Sequence, residues 1–301
     1  MWPIVALLAP LVTFVRSAEP DGYSTHGADT CLVCHNEARV LDIFRTPHAV
    51  RADPRTPFGH GQLQCEACHG PAGAHSARRA FGEVRPSPPF FGRQSSADTA
   101  AQNAACLDCH RAGIRHGWAG SEHERQGLTC AACHRIHTAR DPARARSEQA
   151  GVCFACHRRQ QAELRLPFAH PLADGGLGCS DCHDPHGATA TASLRRTTVG
   201  ATCTACHAEK RGPFLWEHPP VVEDCTHCHA AHGSTQPALL RQRAPLLCQR
   251  CHSEAGHPSL PASPRGLPGP TPSVYLLGSS CLNCHGQIHG SNHPSGQKLM
   301  R

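Results

Sequence analysis

"EDCTHCHAAHGS", residues 223–234, sets two cysteines and three histidines within twelve positions. Thiols and imidazoles placed this closely serve a zinc ion, a redox-active dithiol or a covalently attached haem. The rest of the chain decides among them. All twenty cysteines fall into CxxC pairs, and every pair is followed at once by histidine. The first five copies are Cys31, Cys34, His35; Cys65, Cys68, His69; Cys106, Cys109, His110; Cys130, Cys133, His134; and Cys153, Cys156, His157. The other five are Cys179, Cys182, His183; Cys203, Cys206, His207; Cys225, Cys228, His229; Cys248, Cys251, His252; and Cys281, Cys284, His285.

Neither a zinc ribbon nor a dithiol requires the trailing histidine each time. With 25 His in 301 residues, one such histidine arises by chance about 8% of the time, so ten in ten is not chance. CxxCH is the attachment signature of c-type haem. Two thiols add across the porphyrin vinyl groups, the two intervening residues supply the span, and the next histidine reaches the iron. The sequence therefore calls for ten covalently attached haem c groups, each with its iron. Composition agrees: aromatic residues make up 5%, Gly and Pro number 27 and 26, and there are two Met. Such a chain has little material for an aliphatic core. The macrocycles are expected to be the core, wrapped by loops and short α-helices with almost no β-structure. One longer helix is expected over 147–165, "SEQAGVCFACHRRQQAELR".

A second set of histidines recurs with the motifs. His48, His123 and His170 each follow a motif histidine by 13 residues, His218 by 11 and His257 by 5. His137, His186 and His232 lie three beyond the second motif histidine of a pair, His289 four and His75 six. These ten are the expected distal ligands. A second imidazole on each iron leaves no open position, which suits electron exchange and excludes substrate at the metal. Spacing leaves open which iron each one reaches, and a ligand from a neighbouring unit is allowed. His26, His60, His116, His227 and His293 are left over.

Taken in pairs, the motifs define five two-haem units, about 26–75, 106–137, 153–186, 203–232 and 248–293, within one elongated domain over 18–301. Residues 1–17 read as a secretory signal, because the apolar run from Pro3 to Val15 is too short to span a bilayer and small residues follow. Stretches 70–105 and 253–280 read as surface loops or docking segments. The formal charge of +6 would suit nucleic acid, but ten ferric porphyrins with twenty propionates bring the holoprotein to about −4. No nucleic-acid partner is expected. Of 29 basic residues only Lys210 and Lys298 are lysines, and arginine suits bidentate pairing with propionates.

The whole mature chain resembles the MtrA/PioA/DmsE family of periplasmic decahaem cytochromes. The likeness rests on ten CxxCH motifs at this length, on "LQCEACHGPAGAH" at 63–75 and on "CLNCHGQIHGSNHPSG" at 281–296. It implies a haem chain inserted into an outer-membrane β-barrel protein. Electrons would pass between periplasmic carriers and a donor or acceptor outside the cell, with an extracellular multihaem cytochrome as a further partner. It also implies that Cys281, Cys284 and His285 hold the last haem, with His289 as the distal ligand nearby. No residue acts as acid, base or nucleophile in this reading. The alternatives are a multihaem reductase with one catalytic haem, and a soluble periplasmic shuttle.

Overall fold

The structure, a computed structural model, describes residues 22–92, 94–112, 117–172, 174–252 and 281–300. The expected signal segment, His116, His257 and the proline-rich stretch 253–280 lie outside the described residues.

The local fold begins at the attachment motif. At the first copy, the amides of Cys34 and His35 both donate to the Cys31 carbonyl, at 3.2 and 2.9 Å. The same bond from the motif histidine recurs at His69, His134, His157, His183, His207, His229, His252 and His285, at 2.8–3.0 Å. Each motif is thus a single helical turn. Residues i, i+3 and i+4 of such a turn share a face, so the spacing turns both thiols and the imidazole to one side. The backbone leaves the helical region at the histidine in several motifs, with φ −83°, ψ 61° at His157 and φ −91°, ψ 56° at His207, and one residue later, at Gly70, after His69. This exit keeps helices short. The helix expected over 147–165 is two helices, Arg146–Phe154 and Arg158–Glu163, broken at the motif they enclose. Thr99–Leu107 is the other nine-residue helix, and its N-cap Asp98 accepts from the Ala101 amide at 2.7 Å. The strands are Phe168–Ala169 and Gly233–Ser234, antiparallel, with Phe168 opposite Ser234. This is the expected class: loops and short helices with minimal β-structure. Among the described residues no helix is long and apolar enough to cross a membrane.

Packing divides the chain into two compact units, Met1–Cys109 with Ile136–Ala139, and His110–Arg135 with Arg140–Arg301. In the first, Ala28, Ile43 and Phe58 form a small apolar centre bordered by Leu32, Ala49, Cys65 and Ile136. Beside it Glu66, only 4% exposed, gathers the chain. Its carboxylate accepts from the Ser24 amide (3.0 Å), the Ser24 hydroxyl (2.6 Å) and the Ala72 amide (2.8 Å). A buried carboxylate persists only when hydrogen-bonded in this way.

The second unit repeats itself. Segments 179–195 and 225–241 share one backbone design. In each, the residue after the motif histidine donates back across the loop, Asp184 to Ser193 and Ala230 to Leu239, both at 2.7 Å. Ala192 and Ala238 sit in the left-handed region, with φ of 55° and 54°, a conformation that costs an L-residue about 1–2 kcal/mol. The glycines of the recurring "HG" pairs have a steric cause. A Cβ at Gly187 would strike the Gly117 carbonyl, one at Gly233 the Glu163 carbonyl, and one at Gly290 the Phe214 ring.

Replacing Glu66 by Ala strands the donors of Ser24 and Ala72. It should destabilise the holoprotein by about 2–4 kcal/mol. Denaturant unfolding, with protection of 22–76 followed by limited proteolysis, checks this.

Candidate haem centres

None of the twenty cysteines is in a disulfide, and sixteen of them neighbour one another in a regular order. In the first unit Cys31 is in hydrogen-bond contact with Cys65, and Cys68 lies beside Cys109. In the second unit Cys133 lies beside Cys156, and Cys153 contacts Cys179. Further along, Cys182 lies beside Cys206, Cys203 contacts Cys225, Cys228 lies beside Cys251, and Cys248 contacts Cys281. First cysteines meet within a pair of motifs, and second cysteines meet between pairs. Burial pushes most of these thiols up, Cys65 to about 12 and Cys248 to about 11, with help from the neighbouring sulfur. Cys179 goes the other way, to about 7, because the Cys153 thiol hydrogen-bonds to its thiolate.

Imidazoles face one another in equally regular pairs. In the first unit the ring centroids of His35 and His75 are 6.1 Å apart with planes at 23°, and those of His69 and His137 are 6.1 Å apart at 69°. In the second unit His134 faces His186 at 5.9 Å and 6°, and His123 faces His157 at 6.1 Å and 74°. His170 faces His207 at 6.4 Å and His183 faces His232 at 6.1 Å. His218 with His252, and His229 with His289, are both at 6.1 Å. Ordinary aromatic pairs span about 4.5–7 Å between centroids, so it is the recurrence of one separation, always between a motif histidine and an extra one, that is informative. A first-row metal held by both nitrogens at about 2 Å separates the ring centres by about 6.2 Å, so each gap fits one iron.

The outer edges of these rings are also held. Nδ1 bonds to a backbone carbonyl in His69 (Pro89, 2.9 Å), His75 (Pro86, 2.7 Å), His123 (Pro185, 2.7 Å) and His170 (Ala231, 2.7 Å). The same holds for His183 (Ala192, 2.8 Å), His229 (Ala238, 2.7 Å) and His285 (Lys298, 2.7 Å). His134 and His232 use carboxylates instead, Asp141 at 2.6 Å and Glu163 at 3.1 Å. An acceptor at Nδ1 fixes the proton there and leaves Nε2 with a lone pair for a metal. His218 repeats the theme loosely: the Ile288 carbonyl favours its proton, but the geometry falls short of a full hydrogen bond. Burial, assisted by neighbouring positive groups, lowers the proton affinity of His137, His218 and His289 and keeps them in the neutral, ligating form. His293 is set the other way. Its Nδ1 accepts from the Ser295 amide at 3.1 Å, so the proton belongs on Nε2.

Each of the eight ring pairs joins one motif histidine to one of the ten extra histidines singled out by recurrence. None uses His26, His60, His227 or His293. In seven of the eight pairs the partners are exchanged between neighbouring two-haem segments, while His75 faces His35 within the first. A histidine just past a second motif faces the second-motif histidine of the preceding pair: His137 to His69, His186 to His134, His232 to His183, His289 to His229. A histidine between two motifs faces the first-motif histidine of the next pair: His123 to His157, His170 to His207, His218 to His252. His289, expected beside the last motif, therefore stands against His229 instead. His48, His110 and His285 are described but are not members of these eight pairs, and His257 lies outside the described residues. Stretch 70–105, read as a docking loop, supplies the Pro86 and Pro89 carbonyls. The sequence reading missed all of these Nδ1 acceptors. Only Asp141 and Glu163 carry a side-chain signal at all, and the turn shared by Ala192 and Ala238 is visible only as a repeat.

Residues 170–212 and 218–257 match the family described as "Doubled CXXCH motif", and residues 65–149 match "Cytochrome c-type protein NrfB-like". Thiols and imidazole on one face of each turn, with a second imidazole one iron away, are the equipment of a multihaem c-type cytochrome. Its work is electron transfer and not catalysis. The chain is 46% identical over 284 residues to multiheme cytochrome MtrA of Shewanella baltica, covering 93% of this chain and 83% of that protein. It belongs to the MtrA family. It is also 28% identical over 147 residues to cytochrome c-type protein NrfB of Haemophilus influenzae, covering 44% of this chain and 65% of that protein.

Changing Cys179 and Cys182 together to Ser should remove one haem's mass from the denatured holoprotein. Changing the exposed Ser295 to Ala should remove none. Intact-protein mass spectrometry reads both.

Proposed function

We propose that the chain is a conductor of ten haem c groups that carries electrons across the outer membrane from a periplasmic position, seated in a β-barrel partner. Its twenty motif cysteines form the thioethers, and its ten motif histidines are the proximal ligands. The sixth ligands are His48, His75, His123, His137, His170, His186, His218, His232, His257 and His289, with His48 and His257 proposed on sequence recurrence alone. Haem supplies one-electron chemistry, and the chain supplies spacing and orientation.

The observation that carries this reading is the order of the thiol contacts. From Cys133 to Cys281 every motif in the second unit neighbours the next one in sequence through a cysteine, with hydrogen-bond contact at Cys153 and Cys179, Cys203 and Cys225, and Cys248 and Cys281, and motifs 31, 65 and 106 are neighbours in the first. A thioether sits at the porphyrin edge, so neighbouring sulfurs set successive attachment points near one another. A linear order of this kind within each unit suits conduction along it. Histidine on both faces of an iron excludes substrate from it and keeps rearrangement on reduction small. The barrel partner, the periplasmic carriers and the extracellular donor or acceptor follow from family membership and from the leader-like first residues. An extracellular multihaem cytochrome completes the path on the far side.

Reconstitution with its barrel protein into vesicles enclosing an oxidised dye is the test. An impermeant reductant outside should bleach the dye only when cytochrome and barrel are both present. No transfer by a complex with full haem content would overturn the proposal. His289→Ala should give one high-spin ferric signal in low-temperature electron paramagnetic resonance, while His293→Ala should leave the spectrum low-spin. The high-spin signal should disappear when Cys225 and Cys228 are also changed to Ser, because the exposed iron is the one held by His229.

A further inference from the structure

We propose that Asp141 is a positioning residue that makes the iron held by His134 and His186 the lowest in reduction potential of the eight paired centres. The inference rests on the ligand reading above and goes beyond it, because it ranks the irons. Nδ1 is bonded to the protein in the motif histidines His69, His134, His183, His229 and His285. Four of them, His69, His183, His229 and His285, donate to neutral backbone carbonyls. His134 donates to a carboxylate, at 2.6 Å. A carboxylate draws the ring proton harder and raises the basicity of the nitrogen that faces the metal. A more strongly donating axial ligand favours ferric iron, and so lowers the potential.

The opposite ring adds to the effect. Nδ1 of His186 lies 3.6 Å from the Asp184 carboxylate, which also accepts the His186 amide at 3.0 Å. Among the described residues this is the one ring pair with a carboxylate behind each imidazole. Neither charge is offset by a Lys or Arg side chain among those residues. Asp141 is completed by the amides of Arg135 (3.3 Å) and Ala143 (3.1 Å), while the Arg140 side chain pairs with Glu148 at 3.2 Å. Glu163 behind His232 is a contrast. Its imidazole contact is longer, 3.1 Å, and Arg159 binds the same carboxylate at 2.8 Å. Trp118, 8% exposed, lies edge-on to His186 with centroids 6.5 Å apart and shields that face from water. Charges so shielded act more strongly on the iron.

The consequence is an uphill step within the path. The motif at Cys130–His134 is fourth of the ten in chain order, and its Cys133 adjoins Cys156 of the fifth. An electron arriving from the fifth haem turns this ferric iron ferrous and leaves the donor ferric, against the difference in potential. The fourth iron stays oxidised while its neighbour is reduced, and its occupancy limits the rate in both directions.

Optical potentiometric titration of the whole holoprotein, with dithionite as reductant, tests this. Asp141→Asn keeps an acceptor oxygen but removes the charge. It should raise the lowest-potential component by at least tenfold in its reduction equilibrium, about 59 mV for one electron, and leave the other components in place. Asp184→Asn should move the same component by less, Asp141→Glu should restore it, and Glu223→Gln, at an exposed carboxylate, should not move it. If both asparagine variants leave the lowest component where it was, or shift all components alike, the proposal is wrong. Haem content and electron paramagnetic resonance of the wild-type sample separate this outcome from failure of the ligand reading, which would show as missing haem or high-spin iron.

Discussion

A pair of imidazoles held about 6 Å apart is the constraint on which everything else depends. Chance ring contacts would scatter over about 4.5–7 Å, whereas these eight pairs fall between 5.9 and 6.4 Å. The protein spends much of its irregular backbone on enforcing this separation. Carbonyls of Pro86, Pro89, Pro185, Ala192, Ala231 and Ala238 grip the outer nitrogens and turn the inner ones towards the gap. Left-handed alanines at 192 and 238 are the local cost of aiming two of those carbonyls. Glycines after His186, His232 and His289 let the loops that carry them lie against other backbone or an aromatic ring.

The exchange of partners between neighbouring units has a mechanical meaning. If both histidines of an iron came from one short segment, each haem would be an independent bead. Because His186 reaches back to His134, and His289 to His229, an iron in either gap would cross-link segments 52 or 60 residues apart. Ligation of this kind would do the work that an aliphatic core does elsewhere. Among the described residues, the buried apolar side chains are Ala28, Ile43, Phe58, Ala72, Trp118 and Ala145, and none of them is fully enclosed. Cofactor binding and folding are coupled in such a chain.

What could be read from the sequence divides along the same line. CxxCH is local chemistry, and its spacing alone places two thiols and an imidazole on one face of a turn. The extra histidines were legible because they recur at fixed offsets. Their partners were not, because offset along the chain measures proximity to the nearest motif, whereas His137 and His232 cross to the preceding pair. Proximity in sequence misled in the same way at His289. The helix expected over 147–165 failed because helix propensity ignores the backbone exit at His157. Backbone acceptors such as Pro89 or Ala238 leave no trace in residue type. Asp141 might have been suspected as a carboxylate near a motif, but nothing marked it off from Asp108 or Asp224.

The most direct measurement is anomalous diffraction at the iron edge from crystals of the holoprotein, locating each iron against the histidines. The account places an iron between His229 and His289, another between His134 and His186, and one midway in each of the other six ring pairs. An iron shared by His285 and His289, or ligated by His293, would contradict it.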